Sequence, residues 1–226
     1  MPGSAPYVPD VDVGVHYERS RVRLTALLLD LDAQGWATDV GACPGWRVHD
    51  VLAHLVGNVE DGIAGRLTGP PSEAQTAEQV TRHRDDDPRE LLAYWASAGP
   101  LFEAAITERA ALPAAIDLLT HEHDIRQALA RPGGRDDELV PVLARMLLGR
   151  LETVVHLRAD LDGDVHEIGV GVGPRLGLRS SSFEVFRAAM GRRSVDQVRS
   201  LEWTGDPTPA LGAFFVFGPS DVDLVE

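Results

Sequence analysis

The sequence predicts a mainly α-helical bundle followed by a small α+β domain. Apolar residues recur at helical spacing in four or five segments upstream of about residue 157, joined by short connections. Downstream, short Gly-punctuated stretches with alternating Val and Ile replace that period. At 226 residues, 44% hydrophobic and 25% charged, the chain has the make-up of one large or two modest folded domains, and wholesale disorder is excluded.

Residues 1–12 carry three prolines and read as an irregular arm. From His16 to Ala33, the spacing of Val22, Leu24, Leu27, Leu28 and Leu31 predicts an amphipathic helix that stops near Gly35. The Cys43-Pro44-Gly45 turn breaks the chain, and Val48, Val51, Leu52, Leu55, Val59 and Ile63 define a second helix to about Leu67. Residues 68–87 are polar and open on Pro70-Pro71, so they read as an extended loop. A third helix starts with Pro88 in its first turn and reaches about Arg109, with a kink or break at Gly99-Pro100. The fourth spans Pro113 to about Ala130, and the fifth Leu139 to His156. Strands and hairpins are expected at Leu161–Asp164, Val165–Gly173 and Arg175–Ser180. Ser181 or Ser182 and then Ser194 cap two further helices. The expected division is an arm (1–12), a bundle (13–157) and a C-terminal domain (158–226).

Charge and cysteine use exclude several function classes. There are 35 acidic and 21 basic residues, a net charge of −14, and every basic side chain is arginine. Phosphate neutralisation drives nucleic-acid binding, so such a chain is a poor partner for nucleic acid or anionic membranes. One cysteine, Cys43, excludes an internal disulfide framework and a CxxC motif. The opening residues lack a basic and an apolar region of a signal peptide, and no apolar run approaches the ~20 residues of a membrane span. A cytoplasmic location is the expectation.

Histidines organise the candidate chemistry. Asp117 and His121 lie four apart on one helix, so their side chains share a face, and Asp124 continues it. A carboxylate and an imidazole one turn apart can share a divalent ion, and His54 on a facing helix would supply a third ligand, leaving a position for water or substrate. The same D-x3-H pair is also an ordinary local ion pair, and His54 an ordinary core histidine. Glu122 and His123 point off the ligand face, which makes His123 a surface, interdomain or substrate-facing residue.

The stretch CPGWRVHDVLAHL, residues 43–55, resembles the helix-2 signature of the mycothiol-dependent maleylpyruvate isomerase family of DinB-like metalloenzymes. The elements carried are Pro44, Gly45, Trp46, Val48, Asp50 and His54. DLLTHEHDIRQAL, residues 117–129, is similar to the family's E-x3-H stretch with its following H-D-[LI]-R and Ala-Leu. SSFEVFRAAMGRRSVDQVRSLEWTGDP is similar to its small sterol-carrier-like second domain. The resemblance implies a DinB-like four-helix bundle whose His54, Asp117 and His121 hold a divalent metal, zinc foremost. It also implies mycothiol or another small thiol as cofactor. Asp117 departs from the pattern: the family has Glu there, one methylene longer, so direct binding, binding through water, or help from Glu122 or Asp124 are all open.

Other candidates are weaker by their spacing. Trp46 could form a platform for the cofactor or anchor the helix start. Arg187 could bind the cofactor, and Arg192 and Arg193 a substrate carboxylate, since Arg matches carboxylates bidentately. Arg192-Arg193 also suits a helix C-terminus. Arg82 and Arg84 lie in the expected loop and could cap the site. Cys43 is either a thiol activated by the next helix N-terminus or a buried structural cysteine. His16, His49, His83, His156 and His166 have no partner spacing.

Three functions fit: a thiol-dependent isomerase or S-transferase acting on a small, electrophilic, anionic molecule; a hydrolase using water at the same metal; or a non-catalytic small-ligand-binding protein. The partners expected are the substrate and the thiol, in a monomer or homodimer, with neither nucleic acid nor membrane.

Overall fold

The computed structural model describes residues 11–169, 171 and 173–226. Most of the expected N-terminal arm, and positions 170 and 172 of the expected second strand, lie outside the described residues. The chain divides into two compact units, Val11–Gly134 and Arg135–Val225. The fold class is the one expected: a helical bundle followed by a small mixed sheet with helices.

In the first unit, α1 (Val13–Leu29), α3 (Val48–Ile63), α5 (Pro88–Glu108) and α6 (Leu112–Ala128) form a four-helix ring. Helix α1 packs on α5 and α6, and α3 packs on the same two. Fourteen of the sixteen residues of α3 are buried, so its polar side chains must find partners inside the protein. The first helix starts at Val13, capped by Asp12, and ends earlier than expected. A separate one-turn helix, α2 (Ala33–Trp36), follows.

Two expectations are overturned here. The polar stretch 68–87 is not a loop: it contains α4 (Glu73–Arg82), which packs on α3. Ser72 and Gln75 form a reciprocal capping box that nucleates it, and its buried face is a glutamine, Gln79, beside Val80. Second, α5 is continuous through Gly99-Pro100. Gly99 leaves room for Arg21, whose guanidinium would lie 2.6 Å from a Cβ at that position. Arg21 Nε donates to Glu103 Oε1 at 2.6 Å, a buried ion pair joining α1 to α5.

In the second unit, α7 (Leu139–Leu148) packs on α8 (Ser182–Ala189). The sheet comprises β1 (His156–Leu161), β2 (Asp164–Ile168), β3 (Arg175–Ser180) and β4 (Glu202–Thr204) in the order β2-β1-β3-β4. Strand β1 is antiparallel to β2 and parallel to β3, with Leu157 opposite Leu176 and Ala159 opposite Leu178. Those four residues are buried on one face. The expected fifth helix therefore ends too late: after Leu148 a short 3-10 turn (Gly149–Leu151) stops it, and His156 opens a strand. The expected strand Leu161–Asp164 is instead the β1–β2 turn, where Asp162 and Gly163 both take positive φ, +56° and +97°. Helices α9 (Val195–Arg199) and α10 (Thr208–Phe214) complete the unit. No helix of the described residues is long and apolar enough to cross a membrane.

Candidate metal centre

The turn before α3 sets the first wall of the site. Gly45 adopts φ +84°, which lets Trp46 N donate to the Cys43 carbonyl at 2.9 Å and turns the chain into the helix. The indole of Trp46 then lies 5.5 Å from the His54 ring and 6.3 Å from the His121 ring, measured between centroids. Trp46 is thus beside both histidines.

His54 on α3 and Asp117 and His121 on α6 converge as the sequence anticipates. His54 Nε2 is 3.3 Å from Asp117 Oδ2, and His121 Nε2 is 3.6 Å from Asp117 Oδ1. One ligand atom from each lies within 4.8 Å of the others. A tetrahedral zinc with bonds of 2.0–2.1 Å spaces its ligand atoms by about 3.4 Å, so this donor set fits such an ion. The side chains of His54 and His121 are 3% and 10% exposed, that of Asp117 31%, so the group opens on the Asp117 side.

The opposite ring nitrogens are also engaged. His121 Nδ1 donates to the buried Asp124 at 3.0 Å, which leaves the Nε2 lone pair facing Asp117. Cys43 Sγ lies 3.5 Å from the same Asp124 oxygen and 3.8 Å from His121 Nδ1. Cys43, His121 and Asp124 form a second donor group, but it uses the nitrogen that His121 gives to Asp124. His54 Nδ1 faces Gln79 Oε1 at 2.9 Å. Burial pulls the His54 imidazole down, but the charge of Asp117 and hydrogen bonds to Asp117 and Gln79 outweigh it and hold His54 above its ordinary value. A proton and a metal cation would be favoured at His54 Nε2 by the same carboxylate.

Several residues outside the sequence reading belong to this cluster. Asn58 Nδ2 lies 3.2 Å from His54 Nε2 and donates to Asp117 Oδ2 at 3.0 Å. Asn58 and Asp61 follow His54 at i+4 and i+7, a polar stripe in an apolar helix that was the available signal. Gln79 had none beyond the capping box that places its helix.

The other candidates occupy different places. His123 is buried, 2% exposed, which corrects the surface position among its expected alternatives. Glu122 is buried off the ligand face and accepts from Arg23 and Arg126. Arg82 is on α4 and donates to Glu60 and Asp61, not in a loop over the site. Arg84 follows in the turn after that helix. His83 bridges Asp86 and Glu60, His49 Nε2 donates to the Asp86 carbonyl, and His156 pairs with Glu167. Arg187, Arg192 and Arg193 belong to the second unit. Arg187 is fully buried on α8, Arg192 donates to the Met190 carbonyl, and Arg193 makes a two-pronged pair with Glu184 at 2.8 Å.

The sequence profile described as the mycothiol maleylpyruvate isomerase N-terminal domain matches residues 17–162. Among solved structures, the fold is similar to that of the mycothiol-dependent maleylpyruvate isomerase and of a His-to-Ala mutant of that protein, with TM-scores of 0.50 and 0.51. Each is 14% identical, and the alignment covers 82% of this chain and 90% of the other, which establishes a likeness of fold. No curated protein matches the chain.

Proposed function

Since the chain belongs to the family of the mycothiol maleylpyruvate isomerase N-terminal domain, we propose that it is a divalent-metal-dependent enzyme that uses a small thiol, mycothiol foremost, on a small electrophilic anion. The observation that carries this reading is the convergence of His54 Nε2, His121 Nε2 and an Asp117 carboxylate oxygen in a bundle interior. Those three residues would hold the metal, zinc by its donor set of two imidazoles and one carboxylate. Bound there, a divalent cation would supply a Lewis acid that holds a thiol as thiolate at neutral pH.

The protein's own residues do the rest. Asp124 fixes the ring of His121, and Trp46 walls the two imidazoles on one side. The exposed flank of Asp117 leaves an approach for thiol and substrate. Held there, the thiol would supply a nucleophile for an electron-poor double bond of the substrate, the chemistry that isomerisation and S-transfer share.

Metal analysis of the purified full-length chain tests the first step. Stoichiometric divalent metal is expected, and His54→Ala should lose it while keeping its helical circular dichroism. Protein without metal, whose melting neither chelator nor added zinc shifts, would overturn the reading. Calorimetric titration of zinc-loaded protein with mycothiol tests the second step. Absence of binding at millimolar thiol would remove the thiol and leave a water-using hydrolase on the same residues.

A further inference from the structure

Gln79 is fully buried on a helix whose remaining surface is largely polar, and each of its polar atoms has a partner. Its Nε2 lies 2.8 Å from Asp61 Oδ2 and 3.0 Å from Asn58 Oδ1, and its Oε1 lies 2.9 Å from His54 Nδ1. Asp61 also accepts from Arg66 Nε at 2.8 Å and Arg82 Nη1 at 3.1 Å. With two arginines on it, Asp61 is an ionised, acceptor-only group. Its neighbour on Gln79 must therefore be the amide nitrogen, which turns the Gln79 carbonyl oxygen to His54. That oxygen can only accept, so His54 Nδ1 must be the donor. The same amide nitrogen donates to Asn58 Oδ1, so Asn58 presents its own amide nitrogen toward His54 Nε2. Both ends of the imidazole thus receive the same instruction from one carboxylate.

The seat for Gln79 is built. A Cβ at Gly57 would lie 2.6 Å from Gln79 Cβ and Cγ, so glycine at this helical position is what lets the side chain reach α3.

We propose that Gln79, aimed by Asp61, is a positioning residue of the metal centre: its side-chain oxygen holds the His54 proton on Nδ1 and so turns the Nε2 lone pair toward Asp117 and His121. The inference rests on the reading of His54 as a metal ligand. Where His121 is oriented by a carboxylate directly, His54 is oriented by a carboxylate acting through an amide.

The test uses the full-length chain, Gln79→Leu and Gln79→Glu, with two readouts. Zinc affinity is measured by competition with a chromophoric chelator, and the His54 tautomer by proton–nitrogen correlation in metal-free protein, above the pH at which the ring titrates. His54→Ala assigns the signal. Gln79→Leu is expected to lose about 10–100-fold in zinc affinity, the usual scale for partners of metal ligands, and to release His54 into a mixture of tautomers. Gln79→Glu keeps an acceptor for Nδ1–H but sets a carboxylate against Asp61, so it should retain the Nδ1–H tautomer and lose less zinc affinity than Gln79→Leu. The proposal is overturned if Gln79→Leu binds zinc like the parent, if both variants lose equally, or if the parent's His54 carries its proton on Nε2. Should the parent bind no zinc, the metal reading fails, and the tautomer comparison still decides what Gln79 does. Should Gln79→Leu not fold, the parent's tautomer and Gln79→Glu decide it.

Discussion

Asp117 is the proposed ligand for which the resemblance implies a longer glutamate, and the distances favour the shorter side chain. Its two oxygens already stand 3.3 and 3.6 Å from the two Nε2 atoms, near the separation a tetrahedral ion imposes. Asn58 Nδ2 donates to the same carboxylate and fixes its swing. A glutamate there would have to fold back by a methylene. Asp117→Glu is therefore expected to bind zinc about tenfold more weakly than the parent, as equilibrium dialysis would measure. Tighter binding by that variant would show that Asp117 falls short and binds through a water.

At the scale of elements, Gly57 is what lets α4 pack against α3 beside the site. Alanine there would gain about 1 kcal/mol of helix propensity. It would also place a Cβ 2.6 Å from Gln79 Cβ and Cγ, atoms near the helix backbone with little freedom to yield. Overpacking of that kind costs about 1–3 kcal/mol, and the displacement of α4 also withdraws the partners of Asp61 and His54. Gly57→Ala should be destabilised by about 1–2 kcal/mol net, read from the urea midpoint of the metal-free chain; an unchanged or higher midpoint would mean that α4 shifts without penalty. The same pair explains what the sequence could and could not disclose. Helix α3 is legible because Val48, Val51, Leu52, Leu55 and Val59 recur at helical spacing and are all buried. Helix α4 is opaque because the face it buries is largely polar, so its period carries no hydrophobic signal. Strand β1 has the period-two residues Leu157, Ala159 and Leu161, but no Gly or Pro between Gly149 and Asp162 marks where it starts. In the site, His54, Asp117 and His121 are legible from local spacing and a short signature. Gln79 is not, because its partner Asn58 lies 21 residues away, and nothing local announces that contact.

For the whole molecule, the site and its surroundings set opposite pH dependences. Burial pushes Asp50 and Asp61 up, but Arg47 hydrogen-bonded to Asp50, and Gln79, Arg66 and Arg82 around Asp61, outweigh it and hold both below the usual carboxylate range. Stability from these carboxylates is present above their unfolded value, about 3.9, and is lost as pH falls through the folded ones. His54 has the opposite sign. Its folded value is raised, so its contribution is full below about pH 6.5 and fades as pH rises through the folded value. Metal-free protein should accordingly melt highest in weak acid. Zinc requires the neutral imidazole, so the gap between zinc-loaded and metal-free melting temperatures should widen from about pH 6 to about pH 8. Thermal scans at those two values check this, and a narrowing gap would contradict it.

The placement of the proposed ligands, one on α3 and two on α6, also has a topological meaning. Between His54 and Asp117 run about 60 residues, a span for which a covalent cross-link would restrict the unfolded chain by about 4 kcal/mol. That span contains the exposed Gly69-Pro70 connection ahead of α4. A cation at the site would act as a removable clasp across it. A chain nicked by protease at that connection should therefore hold its two fragments together more firmly when metal-loaded than after chelation.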